Sequence, residues 1–479
     1  MEEDADFKRI QEICAPFELH IEQLMQIKNQ MLNEINSSAE TETDKTIRTS
    51  LKCRNTFIQY FPHGCEHGRY LVVNLEDTNI TIYLYQLRGQ NKPSVQSEFY
   101  EIISEILETE DNEIFEFIAS KLQMFLKNRQ LERDPMTLVI VFPFPLDYDN
   151  AKVVRFTDYT KHFNFKHLKD EDNVMRILES IIRHINPRVE LVAMVNEASA
   201  VLMAGSWKYS NCEIGLFLGS SSSSVAFKEK IENVPTTASD LCLSKPWIIS
   251  HLDWGVFGEN ACLDHIRQEL DIDVDKLSNN PRKRIYEKLI CGEFVAELAR
   301  QIFLICTKEN ILFSGDIGKQ LIKPFSFNSR HICEVLSESA GNFDNTRLMF
   351  DRLGIMKPSD KECSKARFIL ECLTKRSAAL LAAGCACLLD KSQEPRPTIA
   401  IEGTFYGNNS VHLKFVSEYL EQLIGQGKTF DLQYVDDAVG IGAAMLAAVT
   451  EQEKYLYQAR EESESDVGQS VDQSVTNQS

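Results

Sequence analysis

Leu191-Val-Ala-Met-Val-Asn196-Glu197-Ala-Ser199 runs from five apolar residues into an amide and a carboxylate. An unbroken apolar run fits a strand covered on both faces of a parallel sheet; a half-exposed strand would alternate. In open α/β sheets, ligands bind just beyond the carboxyl ends of such strands. Asn196 and Glu197 therefore stand where a polar substrate would meet a general base. The same two residues are good starts for the helix that follows, so a capping role stands open beside the chemical one.

Other segments bear on that choice. Tyr159-Thr160-Lys161-His162-Phe163 lies upstream, and Cys212-Glu-Ile-Gly-Leu-Phe-Leu-Gly219 lies downstream. Asp253-Trp254-Gly255-Val-Phe257-Gly258 follows, then Asn280-Pro281 ahead of Tyr286-Glu287-Lys288. Ile401-Glu402-Gly403-Thr404 and Gly440-Ile-Gly442-Ala-Ala-Met come near the end. In this order and spacing they resemble the eukaryotic hexokinases, in a single-unit version, from about residue 15 to about residue 450. The resemblance implies an α/β, two-domain, actin-like ATPase (ribonuclease H-like) fold, with sugar and nucleotide held between two similar halves. The expected division is an N-terminal helix and linker (1–60), a small domain (61–196) and a large domain (197–436). A helix returning to the small domain (437–450) and a disordered tail (451–479) complete it.

Length and composition agree with this division. At 479 residues the chain exceeds what one core serves and suits two domains. A formal net charge of −20 disfavours nucleic acid, whose phosphates require a basic surface. The 13 cysteines are scattered without paired spacing, as free thiols in a reducing compartment would be. The opening Met1-Glu-Glu-Asp-Ala-Asp6 is acidic, the opposite of a targeting peptide. The longest apolar run, Ala378 to Leu389, is too short to cross a bilayer. A cytoplasmic monomer with no membrane partner is the expectation.

Periodicity predicts the elements. Apolar residues at helical spacing from Phe7 to Ile35 predict a short helix and then a main helix starting at Pro16. Tyr70–Leu75 and Ile80–Tyr85 read as a hairpin joined by Glu76-Asp77-Thr78-Asn79. Strands are expected at Thr137–Phe142 and Val189–Val195, and a second hairpin at Ile214–Leu218 and Ser224–Phe227. Helices are expected at Ala261–Leu270, Arg284–Ile305 and Ala366–Leu389. The closing unit reads as strand Thr398–Ile401, helix Val411–Leu423, strand Phe430–Tyr434 and helix Gly442–Val449. The polar, serine-rich stretch after Glu451 cannot bury a core.

A hexose presents many hydroxyls, which short polar side chains and carboxylates of fixed geometry recognise. The resemblance assigns the hexose to Thr160, Lys161, Asn196, Ser223, Asp253 and Glu287. Thr160, Lys161, Asn196 and Glu287 keep the family's residue types. Asp253 is one methylene shorter than the family's Glu, Ser223 replaces an Asn, and Pro143 replaces a sugar-contacting serine. Glu197 stands where the family uses Asp as the base that takes the proton of the attacking hydroxyl. Glu is an adequate base, with an ordinary pKa only about 0.4 units higher. Its longer reach matters more, since a misplacement of about 1 Å can cost about 100-fold in rate.

The phosphate side departs further. Hexokinases carry D-L-G-G-T-N-F-R at the first hairpin turn, where this chain has Asn74-Leu75-Glu76-Asp77-Thr78-Asn79-Ile80-Thr81. Both glycines, which let the backbone approach the triphosphate, have become carboxylates. A carboxylate about 5 Å from a phosphate charge is repelled by roughly 3 kcal/mol at an effective dielectric of about 20. Glu293 replaces a nucleotide-contacting Lys, Lys323-Pro324-Phe325 replaces a Thr-Arg-Gly turn, and Val439-Gly440-Ile441 lacks the family's basic residue. Gly219 and Ser220 could still present amides and hydroxyls to a phosphate, and Glu402-Gly403-Thr404 keeps the adenosine-side pattern. The nucleotide positions are thus Thr78, Asn79, Gly219, Ser220, Gly403, Thr404 and Gly440, with weak ATP binding expected. Mg²⁺ would arrive with ATP and no protein metal site is assigned; His63-Gly-Cys65-Glu-His67 reads as a turn first and a metal cluster second. Bland readings stand beside these: a flexible turn for Ser220–Ser224, and hairpin-tip solvation for Glu76 and Asp77.

The resemblance implies ATP-dependent phosphorylation of glucose or a related hexose at the 6-hydroxyl, the opening step of glycolysis. The substitutions predict weak or lost turnover, and the alternative is an inactive sugar-binding or regulatory protein of the same fold. A purely structural paralogue is a third reading.

Overall fold

The computed structural model describes residues 5–40, 49–103, 106, 112–157, 161, 163–165, 167–169, 171–234, 241–242, 245–315, 317–339, 341–403, 405, 410–425 and 427–476. In chain order the strands are β1 (Cys53–Asn55), β2 (His67–Leu75), β3 (Asn79–Arg88), β4 (Asn91–Glu101), β5 (Met136–Phe142), β6 (Leu146–Asn150) and β7 (Val153–Phe156). They continue as β8 (Val189–Asn196), β9 (Cys212–Leu218), β10 (Ser223–Lys230), β11 (Trp247–Leu252), β12 (Thr398–Glu402) and β13 (Asp431–Tyr434). The helices are α1 (Ala5–Cys14), α2 (Ile21–Glu40), α3 (Glu113–Asn128), α4 (Val174–Ile185), α5 (Glu197–Lys208) and α6 (Glu269–Leu277). Then come α7 (Ile285–Ile290), α8 (Gly292–Lys308), α9 (Ser329–Leu336), α10 (Asp344–Arg352), α11 (Asp360–Lys391), α12 (Ser410–Leu423) and α13 (Ala438–Thr476).

The chain divides into two compact units. One comprises residues 1–54, 211–229 and 250–436; the other comprises 55–210, 230–249 and 437–479. This differs from the expected division, which placed a boundary between residues 196 and 197. Helix α5 stays with the strand that feeds it, because α13 packs along it so closely that a Cβ on Gly442 would lie 1.7 Å from the Ala200 carbonyl oxygen.

The second of these units is built on a five-stranded sheet in the order β4-β3-β2-β5-β8. Strand β5 is buried along its whole length, and β8 carries the apolar run Leu191–Val195. Strand β2 pairs antiparallel with β3 and parallel with β5, opposing Asn74 to Val141. Strand β5 pairs parallel with β8, opposing Phe142 to Asn196. The carboxyl ends of β2, β5 and β8 therefore lie side by side, with Asn74, Pro143 and Asn196 along one edge.

The other unit is built on a six-stranded sheet in the order β1-β11-β10-β9-β12-β13. The β9–β10 hairpin is antiparallel, with Leu218 opposite Ser223, while β12 runs parallel to both β9 and β13. Helix α11 starts with a capping box between Ser359 and Glu362 and is the one described helix long and apolar enough to cross a membrane. Its most apolar stretch is 94% buried, so it serves as the central core helix of this unit.

Several expected elements are corrected. The main N-terminal helix starts at Ile21, not Pro16; Pro16 occupies a 3₁₀ turn, and the Gln23 side chain caps the backbone of His20 at 2.9 Å. The α-helix expected over Ala261–Leu270 begins only at Glu269: successive i+3 turns through Ala261, Asp264 and Ile266 precede the capping box that begins α6. The helix expected over Arg284–Ile305 is two helices broken at Cys291, which adopts extended backbone. The break lets Gly292 approach Phe405 and Ser329 to within 2.6 Å of where a Cβ would stand.

The tail expected to lack structure instead continues α13 to Thr476. Glu451 accepts from Tyr70 Oη at 3.1 Å and Thr137 Oγ1 at 2.7 Å, and Lys454 Nζ donates to Glu190 at 2.7 Å. A composition too polar for a core still permits a helix, because helical backbone hydrogen bonds are internal and residues 451–476 contain no proline.

Candidate active site

The predicted site residues fall into two groups, one in each unit. In the unit of the five-stranded sheet, Asn196 ends β8 and caps α5, its Oδ1 accepting from the Ser199 amide at 3.0 Å. The capping role is thus realised, and it fixes the Asn196 side chain. Glu197 follows as the first residue of α5 and is 6% exposed. Helix N-termini carry partial positive charge and favour a carboxylate there.

At the neighbouring β2–β3 turn, Glu76 is held by its own hairpin. Asn74 Nδ2 donates to its Oε1 at 3.1 Å and Asn79 Nδ2 to its Oε2 at 3.2 Å. Asp77 reaches further, and Lys161 Nζ donates to its Oδ1 at 2.8 Å. Lys161 is itself in the left-handed region, with φ of 55°. The lysine expected to meet the sugar is therefore engaged by the Asp77 carboxylate. Thr78 lies in the turn, its carbonyl accepting from the Ile102 amide at 2.8 Å. Among the described residues this corner sets the Glu76 and Asp77 carboxylates beside the Lys161 ammonium, and a triphosphate meets like charge at those two carboxylates.

In the unit of the six-stranded sheet, Ser223, Asp253 and Glu287 come together around a residue that sequence reasoning missed. Arg284 Nε donates to Glu287 Oε1 at 2.7 Å and its Nη2 to Oε2 at 3.1 Å. Its Nη1 donates to Asp253 Oδ1 at 2.9 Å, and Arg54 Nη1 stands 3.7 Å from Asp253 Oδ2. Glu287 Oε2 also accepts from the Ser223 amide at 2.9 Å, and Ser223 Oγ accepts from Trp254 Nε1 at 3.1 Å. Burial alone would raise the Asp253 carboxyl, but the Arg284 and Arg54 guanidiniums outweigh it and hold it below its ordinary value. His251, two residues before Asp253 on β11, is pushed down to about 3, chiefly by burial. Spacing along a helix does not explain the pairing, because Arg284 precedes α7 with left-handed backbone (φ 52°), and that conformation brings its guanidinium to Glu287.

The nucleotide positions show packing roles. Gly219 closes the β9–β10 turn through its amide to the Ser222 carbonyl at 2.8 Å. Ser220 is exposed, and its carbonyl accepts from the Glu293 amide at 2.8 Å, so the start of α8 abuts the serine turn. Gly403 has φ of 141°, and a Cβ there would stand 1.9 Å from the Leu218 carbonyl oxygen. Gly440 faces Tyr85, whose hydroxyl donates to Asp437 at 2.7 Å; a Cβ on Gly440 would lie 2.0 Å from that hydroxyl. Thr160 and Thr404 lie outside the described residues. At His63–His67, Glu66 accepts from the His63 and Gly64 amides at 2.6 and 2.9 Å, which is the hydrogen bonding of a turn.

Two family models described as hexokinase match this chain, one over residues 9–207 and the other over residues 213–449. Hexokinase-2 of Equus caballus is 28% identical over 95% of this chain, which spans about half (49%) of that relative's length. Hexokinase type 1 of Drosophila melanogaster is 26% identical over 95% of this chain and 97% of its own length. The solved structure of Schistosoma mansoni hexokinase complexed with glucose is similar at a TM-score of 0.83 and 27% identity, covering 94% of this chain and all of that one. With matches that together run through nearly the whole length, the chain belongs to the hexokinase family.

Proposed function

We propose that this protein binds a hexose such as glucose and that its ancestral reaction, ATP-dependent phosphorylation of the 6-hydroxyl, runs slowly or not at all. The family supplies the reaction class, and hexokinase is the name carried by relatives matched over nearly their full length. One observation carries the reading of slow turnover. Asp77, standing where hexokinases have a phosphate-loop glycine, holds Lys161, assigned to the sugar, at 2.8 Å.

The chemistry follows from what each residue can do. Glu197, buried at the start of α5, is the base that would take the hydroxyl proton. Asn196 is held by its cap and would orient the hydroxyl. Mg²⁺-ATP, as substrate, would have to approach Glu76 and Asp77, two carboxylates that repel it. In the same reading the protein acts in the cytoplasm as a monomer.

A second reading, a sugar-binding regulator without turnover, is favoured by the way Glu76 is tied to Asn74 and Asn79. A coupled assay of glucose-dependent ADP release, with Glu197→Ala as control, tests both. Slow release abolished in the variant supports a residual kinase. Equal release from both proteins removes Glu197 as the base. No release, together with a glucose-induced rise in Tm, supports the regulator.

A further inference from the structure

Hydroxyl recognition by a carboxylate needs oxygen lone pairs that face the ligand and are free to accept. Asp253 and Glu287, the two carboxylates assigned to the hexose, already direct oxygens on both side chains at one arginine. Both Glu287 oxygens accept from the Arg284 guanidinium, at 2.7 and 3.1 Å, and one also accepts from the Ser223 amide at 2.9 Å. Asp253 accepts from Arg284 at 2.9 Å on one oxygen and has Arg54 at 3.7 Å from the other. The two carboxylates thus face two guanidiniums, and the group is balanced in charge. The side chains of Arg284, Glu287 and Asp253 are only 4%, 3% and 7% exposed.

The placement of Arg284 is built in. Its backbone adopts the left-handed region (φ 52°), costly for a residue with a Cβ. The Glu259 carboxylate holds its amide at 2.7 Å. Gly255 leaves the room that the guanidinium occupies, since a Cβ there would meet Arg284 Nη2 at 2.4 Å. A guanidinium offers planar, forked donors, as vicinal sugar hydroxyls offer paired ones.

We propose that Arg284 is an internal occupant of the hexose subsite, taking the acceptor positions on Asp253 and Glu287 that a neutral hexose would use and setting hexose affinity low. The inference rests on the assignment of those carboxylates to the sugar. Glucose must displace the guanidinium before it binds, and a residue with fewer donors and no charge lets the sugar in.

The test is glucose affinity by titration calorimetry in wild type, Arg284→Gln and Glu287→Gln. Arg284→Gln is expected to bind glucose about tenfold tighter or better, because charge-assisted hydrogen bonds no longer have to be broken. Loss of a merely structural arginine would weaken binding, so the direction of change decides. Unchanged or weaker binding in Arg284→Gln, with Glu287→Gln weakening the wild-type affinity, overturns the occupant and leaves the sugar assignment standing. Glucose binding that is indifferent to Glu287→Gln, or absent from every protein, overturns the assignment and the occupant with it. Should Arg284→Gln fail to fold, Arg284→Lys keeps the charge without the fork; a smaller gain supports the proposal and no gain overturns it.

Discussion

Lys161 and Asp77 are joined by a 2.8 Å ion pair across 84 residues of chain. The Lys161 side chain is 10% exposed, whereas that of Asp77 is 45% exposed. The contact ties the turn of one hairpin to the segment that the sugar reading depends on. An ion pair with one partner so exposed contributes little stability, so its consequence is positional.

Replacing Glu76 and Asp77 by glycine should therefore act on ligands. The double variant is expected to lower the KM for Mg²⁺-ATP and to add an ATP-induced rise in Tm. Steady-state kinetics and thermal melts check it. An unchanged ATP response in both would put the obstacle elsewhere, with Glu293 the next candidate.

Glu197 tests reach against chemistry. Glu197→Asp keeps the base and shortens it by one carbon, and kcat is expected to rise by up to about 100-fold if placement limits the rate. Single-turnover measurement separates this from product release. A fall in rate would mean that the backbone has already adjusted to the longer side chain.

Stability should decline on mild acidification. Burial pushes His251 down to about 3, with the Asp253 carboxylate opposing and the Arg54 and Arg284 guanidiniums assisting; burial also pushes His412 to about 3. An unfolded chain takes up these protons near pH 6.5, while the folded one resists them until about pH 3. Stability is thus fully present above that window and is lost as pH falls through it, by up to about 1.4 kcal/mol per pH unit for each histidine. Denaturant midpoints at neutral and mildly acidic pH check this, and His251→Leu should flatten the dependence. The Asp253 carboxyl, held below its ordinary value, adds a loss of the same sign at still lower pH.

Gly442 provides a packing test. Its Cβ would stand 1.7 Å from the Ala200 carbonyl oxygen, whereas Gly425 has nothing within 4 Å. Gly442→Ala is expected to destabilise by about 1–3 kcal/mol or more through overpacking. Gly425→Ala should stay within about 0.5 kcal/mol. Urea unfolding of the two variants checks the contrast.

Much of the fold was legible because its signals are local. The Asn196 cap depends on neighbours a few residues away and formed as read, whereas the Leu191–Val195 run formed an edge strand with Val192 and Ala193 half-buried, not one covered on both faces. The misreadings fell where local pattern competes with packing. Ala261–Leu270 has helical spacing but folds as turns up to Ile266, with helix only from Glu269, and the Arg284–Ile305 pattern breaks where Gly292 must approach Phe405. The tail was misread because a composition that excludes a core was taken to exclude a helix.

The amino-acid order determined which ionisable side chains are available: carboxylates at Glu197, Asp253 and Glu287, and two more at Glu76 and Asp77 in the first hairpin turn. Tertiary structure alone decided what those groups touch. Asp253 and Arg284 are 31 residues apart and Asp77 and Lys161 are 84 apart, yet each pair is in hydrogen-bond contact. Charge pairing depends on distance in space, and distance in space follows from how the strands and helices pack, which no periodicity along the chain records.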